Sequence, residues 1–211
     1  MKLKPVHADI QQLLDYRQNP YKWAVDNVST LDSVDKFNPI KKFPSHEPYL
    51  EYYFQCLKEQ ELFATVKNRR MFITWANLIF LTHEAIFFEG VRTAVISKKE
   101  EDADELLQSC NFILNNLPKT AIRPIHKYVY GEIRFPEIDS KIVAVAQGPD
   151  QLRQFTLTRI FGDEVVTWPQ ARATFVAMKP TLEGGGHVSL VSTRYPGFFK
   201  DLIEDTLDVA A

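Results

Sequence analysis

Residues 73–88 are apolar around most of a helical projection, and ahead of them, across a basic loop, stands the short apolar run Leu62-Phe63-Ala64-Thr65-Val66. A helix with so little polar face must be buried, and an apolar run of strand length must be buried too. Both conditions are met when the run is a strand of a sheet and the helix packs on that sheet. The chain then repeats the arrangement. Gly90 closes the helix, Arg92-Thr93-Ala94-Val95-Ile96-Ser97 reads as a second strand, and Ala103, Leu106, Leu107, Cys110, Ile113, Leu114 and Leu117 recur at helical spacing. Glu100, Glu101 and Asp102 fall in the first turn of that helix and Pro118 lies past its end. Further strands are expected at 142–146, 157–162 and 187–192, with a helix over 170–178. Strands alternating with helices predict an α/β fold, a mainly parallel central sheet with helices on both faces.

Upstream, residues 8–28 suggest one or two short amphipathic helices broken at Asn19-Pro20, and 29–45 is a polar connector containing proline. Tyr49, Tyr52, Tyr53, Cys56, Leu57 and Gln60 then fall at helical spacing. The expected division is an N-terminal helical appendage and connector, 1–45, followed by an α/β domain, 46–211. A chain of 211 residues suffices for one substantial core, and 45% apolar with 25% charged residues is the composition of a soluble globular protein. The net charge of −2 supplies no global pull toward nucleic acid, so any such contact needs a local patch. Lys119, Arg123, His126, Lys127 and Arg134, interleaved with Tyr128 and Tyr130, form the best one. Cys56 and Cys110 stand far apart without a C-x-x-C and read as free thiols, and the histidines show no metal-ligand spacing. No signal-peptide core follows Met1 and no apolar run approaches about 18 residues, so a cytosolic location without membrane contact is expected.

Chemistry concentrates in three places, each following an expected strand. The first is the loop Lys67-Asn68-Arg69-Arg70-Met71-Phe72-Ile73-Thr74-Trp75. In the phosphate-binding pattern G-x-x-x-x-G-K-[ST], backbone N–H groups cradle phosphates, the lysine neutralises them and the hydroxyl helps hold Mg²⁺. With Thr74 as that hydroxyl, Lys67, Phe72 and Ile73 occupy the places of first Gly, second Gly and Lys, and the cation stands at the loop's entrance. The second is Leu157-Thr158-Arg159-Ile160-Phe161-Gly162-Asp163-Glu164, a largely apolar strand ending in two carboxylates. One suits a Mg²⁺-nucleotide and the next suits a water to be oriented or deprotonated. The third is Val188-Ser189-Leu190-Val191-Ser192-Thr193, which delivers two hydroxyls to the same edge of the sheet. Ligands of such sheets gather beyond the C-terminal ends of the strands, where all three would emerge.

Taken in this order, the three features resemble the ATPase domain of bacteriophage large terminases, over roughly residues 43–200. The loop is similar to that family's deviant Walker A, with its lysine at the beginning. Val95-Ile96-Ser97-Lys98-Lys99-Glu100-Glu101-Asp102-Ala103 resembles the next strand and helix, and Ile160-Phe161-Gly162-Asp163-Glu164 resembles Walker B. Trp168-Pro169 and Lys179-Pro180-Thr181-Leu182-Glu183-Gly184-Gly185-Gly186 are similar to the segment that follows, and Leu190-Val191-Ser192-Thr193 to the coupling motif. The resemblance implies an ASCE-type P-loop ATPase that uses ATP and Mg²⁺ to drive double-stranded viral DNA into a procapsid in the host cytoplasm. Portal and small terminase subunits would be its partners, and an assembled homo-oligomeric ring its working form. It further implies that residues 67–74 (Lys67, Asn68, Arg69, Arg70, Met71, Phe72, Ile73 and Thr74) hold the nucleotide. Lys67 would reach the β/γ-phosphates, Arg69 the γ-phosphate, and Thr74 and Asp163 the metal, while Glu164 activates water and Ser192 and Thr193 report hydrolysis. Phe43-Pro44 and Gln55 would lie near adenine, and Arg153 would be a finger entering a neighbour's site. Two departures stand out: Phe72 where the family has Gly, and an end soon after the coupling motif, so that no RNase-H-like nuclease domain and no cutting activity are expected. The alternatives are a degenerate, non-hydrolysing module docking on portal or small terminase, and a helicase-like ATPase on single strands.

Overall fold

The structure, a computed structural model, describes residues 6–32, 34–68, 71–121, 123–194 and 196–204, with side chains from Ile10 onward. Helices α1 (Val6–Gln18) and α2 (Pro20–Asn27) are separated at Asn19, whose side-chain oxygen accepts the Lys22 N–H at 2.9 Å while Pro20 occupies the first turn. The stretch expected to be a plain connector contains an antiparallel hairpin, β1 (Ser29–Leu31) with β2 (Ile40–Lys42). After α3 (Pro48–Glu59) come β3 (Leu62–Val66), α4 (Ile73–Phe87), β4 (Arg92–Ser97) and α5 (Glu100–Asn116). Then follow β5 (Lys127–Val129), β6 (Glu132–Phe135), β7 (Ser140–Ala146) and the short α6 (Pro149–Leu152). The described elements end with β8 (Arg159–Asp163), α7 (Ala171–Glu183), β9 (His187–Ser192) and α8 (Phe198–Ile203).

One seven-stranded sheet runs β3-β9-β8-β4-β7-β6-β5, with the first five strands parallel and β6 and β5 turned antiparallel. Successive strand residues feed opposite layers, as the pleat requires. Val95, Phe161 and Val191 face a core built with α2 to α5, whereas Ile96, Ile160 and Leu190 face one built with Trp168, Met178 and Phe199. The N-terminal stretch belongs to the first layer: Tyr16, Trp23, Ala24, Val28 and Phe43 are buried in the same cluster as Phe54 and Phe80.

Lys127 and Arg134 face each other across the β5–β6 hairpin, and Arg134 is ion-paired with Glu132. Tyr128, interleaved with the basic residues, donates its hydroxyl to Asp104 at 2.8 Å, and the Gly131 N–H donates to the other carboxylate oxygen at 2.8 Å. A buried acid on α5 therefore pins this hairpin.

His83 makes the N-terminal helices part of the fold's pH response. It lies on α4 at 2% exposure, and its Nε2 donates to the Tyr16 carbonyl at 2.7 Å because a carbonyl can only accept. Nδ1 is left buried without a partner, so protonation would place an uncompensated charge between Trp23 and Phe87. Burial pushes the imidazole down to about 4. The unfolded chain takes up this proton near pH 6.5 and the folded chain only near 4. The contribution is therefore complete above the higher value and lost as pH falls through this window, on the order of 3 kcal/mol in all. Urea unfolding between pH 4 and 7 should show a steeper acid limb for the native chain than for His83→Phe; parallel limbs would remove His83 from that role.

Candidate functional site

Strands β3, β9 and β8 end together at one edge of the sheet, with Val66 opposite Ser192 and Asp163 opposite Val191. β9 lies between the other two, so the loop after β3 and the carboxylates after β8 flank it. Pairing continues one residue past β3: the Lys67 N–H donates to the Ser192 carbonyl at 2.9 Å, which fixes where the lysine side chain departs. Its Nζ donates to Thr74 Oγ1 at 2.6 Å and to Asp163 Oδ1 at 2.8 Å, and stands 3.5 Å from Glu164 Oε1. Thr74 Oγ1 donates in turn to Asp163 Oδ2 at 3.2 Å. The side chains of Lys67 and Asp163 are about one-tenth exposed, so this triangle sits in a low-dielectric recess where charge pairing counts.

Each corner is held from behind. The Trp168 indole N–H donates to the Asp163 carbonyl at 3.0 Å, and Ser192 Oγ accepts the Val166 N–H at 2.9 Å. Glu164 adopts a left-handed conformation, φ 49 and ψ 44, and its carbonyl accepts both the N–H and the hydroxyl of Thr167 at 2.9 and 2.8 Å. A non-glycine residue held there costs about 1–3 kcal/mol, and the turn Val165–Thr167 offsets that cost while turning the carboxylate toward Lys67. Gly162 has no room for a side chain: a Cβ would come within 2.6 Å of the Trp168 ring and 2.8 Å of Leu190.

The loop itself is anchored by Tyr49, whose hydroxyl donates to the Met71 carbonyl at 2.9 Å, while the Asn68 N–H faces Met71 Sδ at 3.3 Å. Arg69 and Arg70 lie outside the described residues. Phe72 takes the left-handed conformation, φ 55 and ψ 7, that a glycine would adopt without strain. Its ring does not turn into the sheet. It is 36% exposed and helps line a cleft of about 240 Å³ together with Lys67, Thr74, Glu164 and Thr193. Ile73, by contrast, is buried as the first residue of α4.

Of the residues expected from sequence, Lys67, Asn68, Met71, Phe72, Thr74, Asp163, Glu164, Ser192 and Thr193 converge on this edge. Gln55 does not. It lies on the outer face of α3, bonded to Glu59 at 3.1 Å, and lines a different cleft with Gln18, Tyr21 and Lys58. Phe43 is buried against Phe54, and Arg153 is exposed beside Asp150 at 3.1 Å. Tyr49 and Trp168 support the site without any sequence pattern that marks them for it. A further layer lies behind it that no sequence motif marks: Asn77 donates to Tyr53 at 2.8 Å and accepts from Ser189 at 2.8 Å, joining α3, α4 and β9 under the triangle. Burial pushes the Tyr53 hydroxyl up to about 12, so it stays neutral there. The one local signal is an asparagine in the apolar first half of α4, between Ala76 and Leu78.

The donor set fits a Mg²⁺-nucleotide. One hydroxyl and one carboxylate are hard oxygen ligands, the ammonium of Lys67 already lies between them, and Mg²⁺ needs few protein ligands when phosphates supply others. Neither a scan against protein-family models nor a search of curated proteins finds a match. Among solved structures, the Thermus phage P74-26 large terminase ATPase domain matches with a TM-score of 0.52 at 13% identity, over 70% of this chain and 66% of that one. The HK97 bacteriophage large terminase matches with a TM-score of 0.67 at 10% identity, over 92% of this chain and 41% of that one. At such identities the likeness is one of fold: this chain shares with those structures an α/β architecture built on a mixed, mostly parallel seven-stranded sheet.

Proposed function

We propose that this chain is a Mg²⁺-dependent ATP hydrolase and the motor portion of a phage large terminase. The observation that carries the reading is the meeting of Lys67, Thr74, Asp163 and Glu164 at one sheet edge, with Lys67 and Asp163 96 positions apart in sequence, on a P-loop fold. Lys67 neutralises the terminal phosphates from the loop's entrance, and Thr74 and Asp163 would hold the metal, which would supply charge neutralisation for the phosphates. Because Lys67 now bonds both of these groups, nucleotide entry redirects its ammonium from Thr74 and Asp163 onto phosphate oxygens. Glu164 orients the attacking water and accepts its proton. Ser192 bonds Lys67 through its carbonyl and Val166 through its hydroxyl, so a change on either side is felt at the end of β9. That suits the coupling role proposed for it and Thr193.

The larger assignment rests on the fold likeness and the motif order: work on double-stranded viral DNA in the host cytoplasm, with portal and small terminase as partners, in a ring where Arg153 completes a neighbour's site. Residues 46–211 are assigned the P-loop ATPase domain, with 1–45 as the helical segment and hairpin leaned against it. Among the described residues no helix is long and apolar enough to cross a membrane.

Calorimetry with a non-hydrolysable ATP analogue, with and without Mg²⁺, tests the core of the proposal. Mg²⁺-dependent binding by the native chain, lost in Lys67→Ala, is expected. Phe72 favours a second reading, since its ring stands at the mouth of the cleft in a conformation glycine would adopt freely. Absence of binding by the folded native chain would select that reading, a non-hydrolysing module that docks on portal or small terminase.

A further inference from the structure

The phosphate cleft shares two of its lining residues with a second cavity, one that neither Gln55 nor Phe43 lines. This cavity, about 450 Å³, lies between the β1–β2 hairpin and the start of α4, and Phe72 and Trp75 line both spaces. Its volume is that of a small-ligand pocket. Its hairpin wall is formed by Leu31 and Val34 with Lys41 beside them. The polar groups are already placed: the Lys41 ammonium is held by Asp35 at 2.6 Å, and the Asp32 carboxylate accepts the Val34 N–H at 3.0 Å. Thr74 and Trp75 are consecutive, so a ligand whose phosphates rest at Lys67 and Thr74 meets this cavity one residue further along the helix.

We infer that the hairpin cavity is the nucleoside pocket of the site, taking a purine base between the Phe72 and Trp75 rings and the apolar wall of the β1–β2 hairpin. The inference rests on the nucleotide reading above. It also gives Phe72 a role. A glycine would relieve the backbone but remove one face of the slot, and an aromatic ring at the partition between phosphate and base gives the base a surface to stack on. Stacking is sequence-tolerant but stronger for the larger purine ring, so the slot selects by ring size while Asp32 and Lys41 meet its polar edge.

Three ligands separate the two spaces: Mg²⁺-tripolyphosphate, which reads the Lys67 cleft alone, and non-hydrolysable ATP and CTP analogues, which add a purine or a pyrimidine. The native chain should bind the ATP analogue more tightly than the CTP analogue, with quenching of Trp75 fluorescence. Trp75→Leu should weaken the ATP analogue roughly 5- to 150-fold, the range for loss of one stacking partner, and erase the purine preference. Leu31→Ala, on a half-exposed hairpin residue, should lower the ratio of ATP-analogue to tripolyphosphate affinity in the same direction. If the native chain binds tripolyphosphate and the ATP analogue, and neither folded variant changes that ratio, the base lies elsewhere and the inference falls while the phosphate site stands. If the native chain binds none of the three, the nucleotide reading falls and takes the inference with it.

Discussion

Glu164→Gln should lower ATP turnover by about 10²- to 10⁴-fold while leaving the affinity for a non-hydrolysable analogue near the native value. The amide keeps the size and a hydrogen-bonding oxygen of the carboxylate but takes up no proton at neutral pH. The side chain is 40% exposed and meets the triangle only through Lys67 at 3.5 Å, so its neutralisation leaves the Lys67, Thr74 and Asp163 contacts in place. Its backbone is set by Thr167 rather than by the carboxylate, so the strained turn is retained as well. Asp163→Asn provides the contrast. It removes the charge paired at 2.8 Å with Lys67, whose side chain is about one-tenth exposed, and should weaken Mg²⁺-nucleotide binding itself. Single-turnover hydrolysis with protein in excess over ATP, paired with calorimetry, distinguishes the two variants. Native-rate hydrolysis by Glu164→Gln would take Glu164 out of the reaction.

The residues on which these expectations stand differ in how openly the sequence displayed them. Helix α4, strands β4 and β9 and helix α5 follow from apolar periodicity, because each buries a face wide enough to impose its spacing on the chain. The candidate site is legible for a topological reason: in a parallel sheet every strand's C-terminal end faces the same edge, so polar residues just after Val66, Gly162 and Val191 emerge there, and the order β3-β9-β8 makes them neighbours. The β1–β2 and β5–β6 hairpins were hidden. Their strands are short and polar, and what holds the second one is a carboxylate on α5, which no local pattern announces. Gln55 failed for the opposite reason. Helical spacing places it on α3, but the face of α3 that packs inward carries Leu50, Tyr53, Phe54 and Leu57, which leaves Gln55 on the outside. Phe72 was conspicuous as a missing glycine, yet sequence could not tell whether the ring or the backbone would yield. The backbone yields, entering the left-handed region, and the ring stays at the cleft.

Arg159→Met should destabilise the fold by about 3–5 kcal/mol, the largest loss expected from a single substitution away from the site. Arg159 opens β8 at 3% exposure, where an apolar residue would be the ordinary choice. Its guanidinium forks onto Glu84 of α4, with Nε at 2.7 Å from Oε2 and Nη2 at 3.0 Å from Oε1. Nη1 donates to the Leu57 carbonyl of α3 at 2.9 Å, and the plane lies 4.7 Å from the Phe80 ring centroid. One side chain thereby ties the sheet to two helices at the end opposite the cleft. Methionine fills similar volume but leaves the Glu84 carboxylate and the Leu57 carbonyl without their donors, and unpaired buried groups carry most of the loss. For a chain of this size the melting temperature should fall by roughly 6–20 °C. Pairing Arg159→Met with Glu84→Met then separates the two origins of the effect. Recovery of much of the lost stability in the double variant would show that the stranded carboxylate causes the damage; no recovery would mean that the bonds to Leu57 and Phe80, rather than the ion pair, hold α3 and α4 to the sheet.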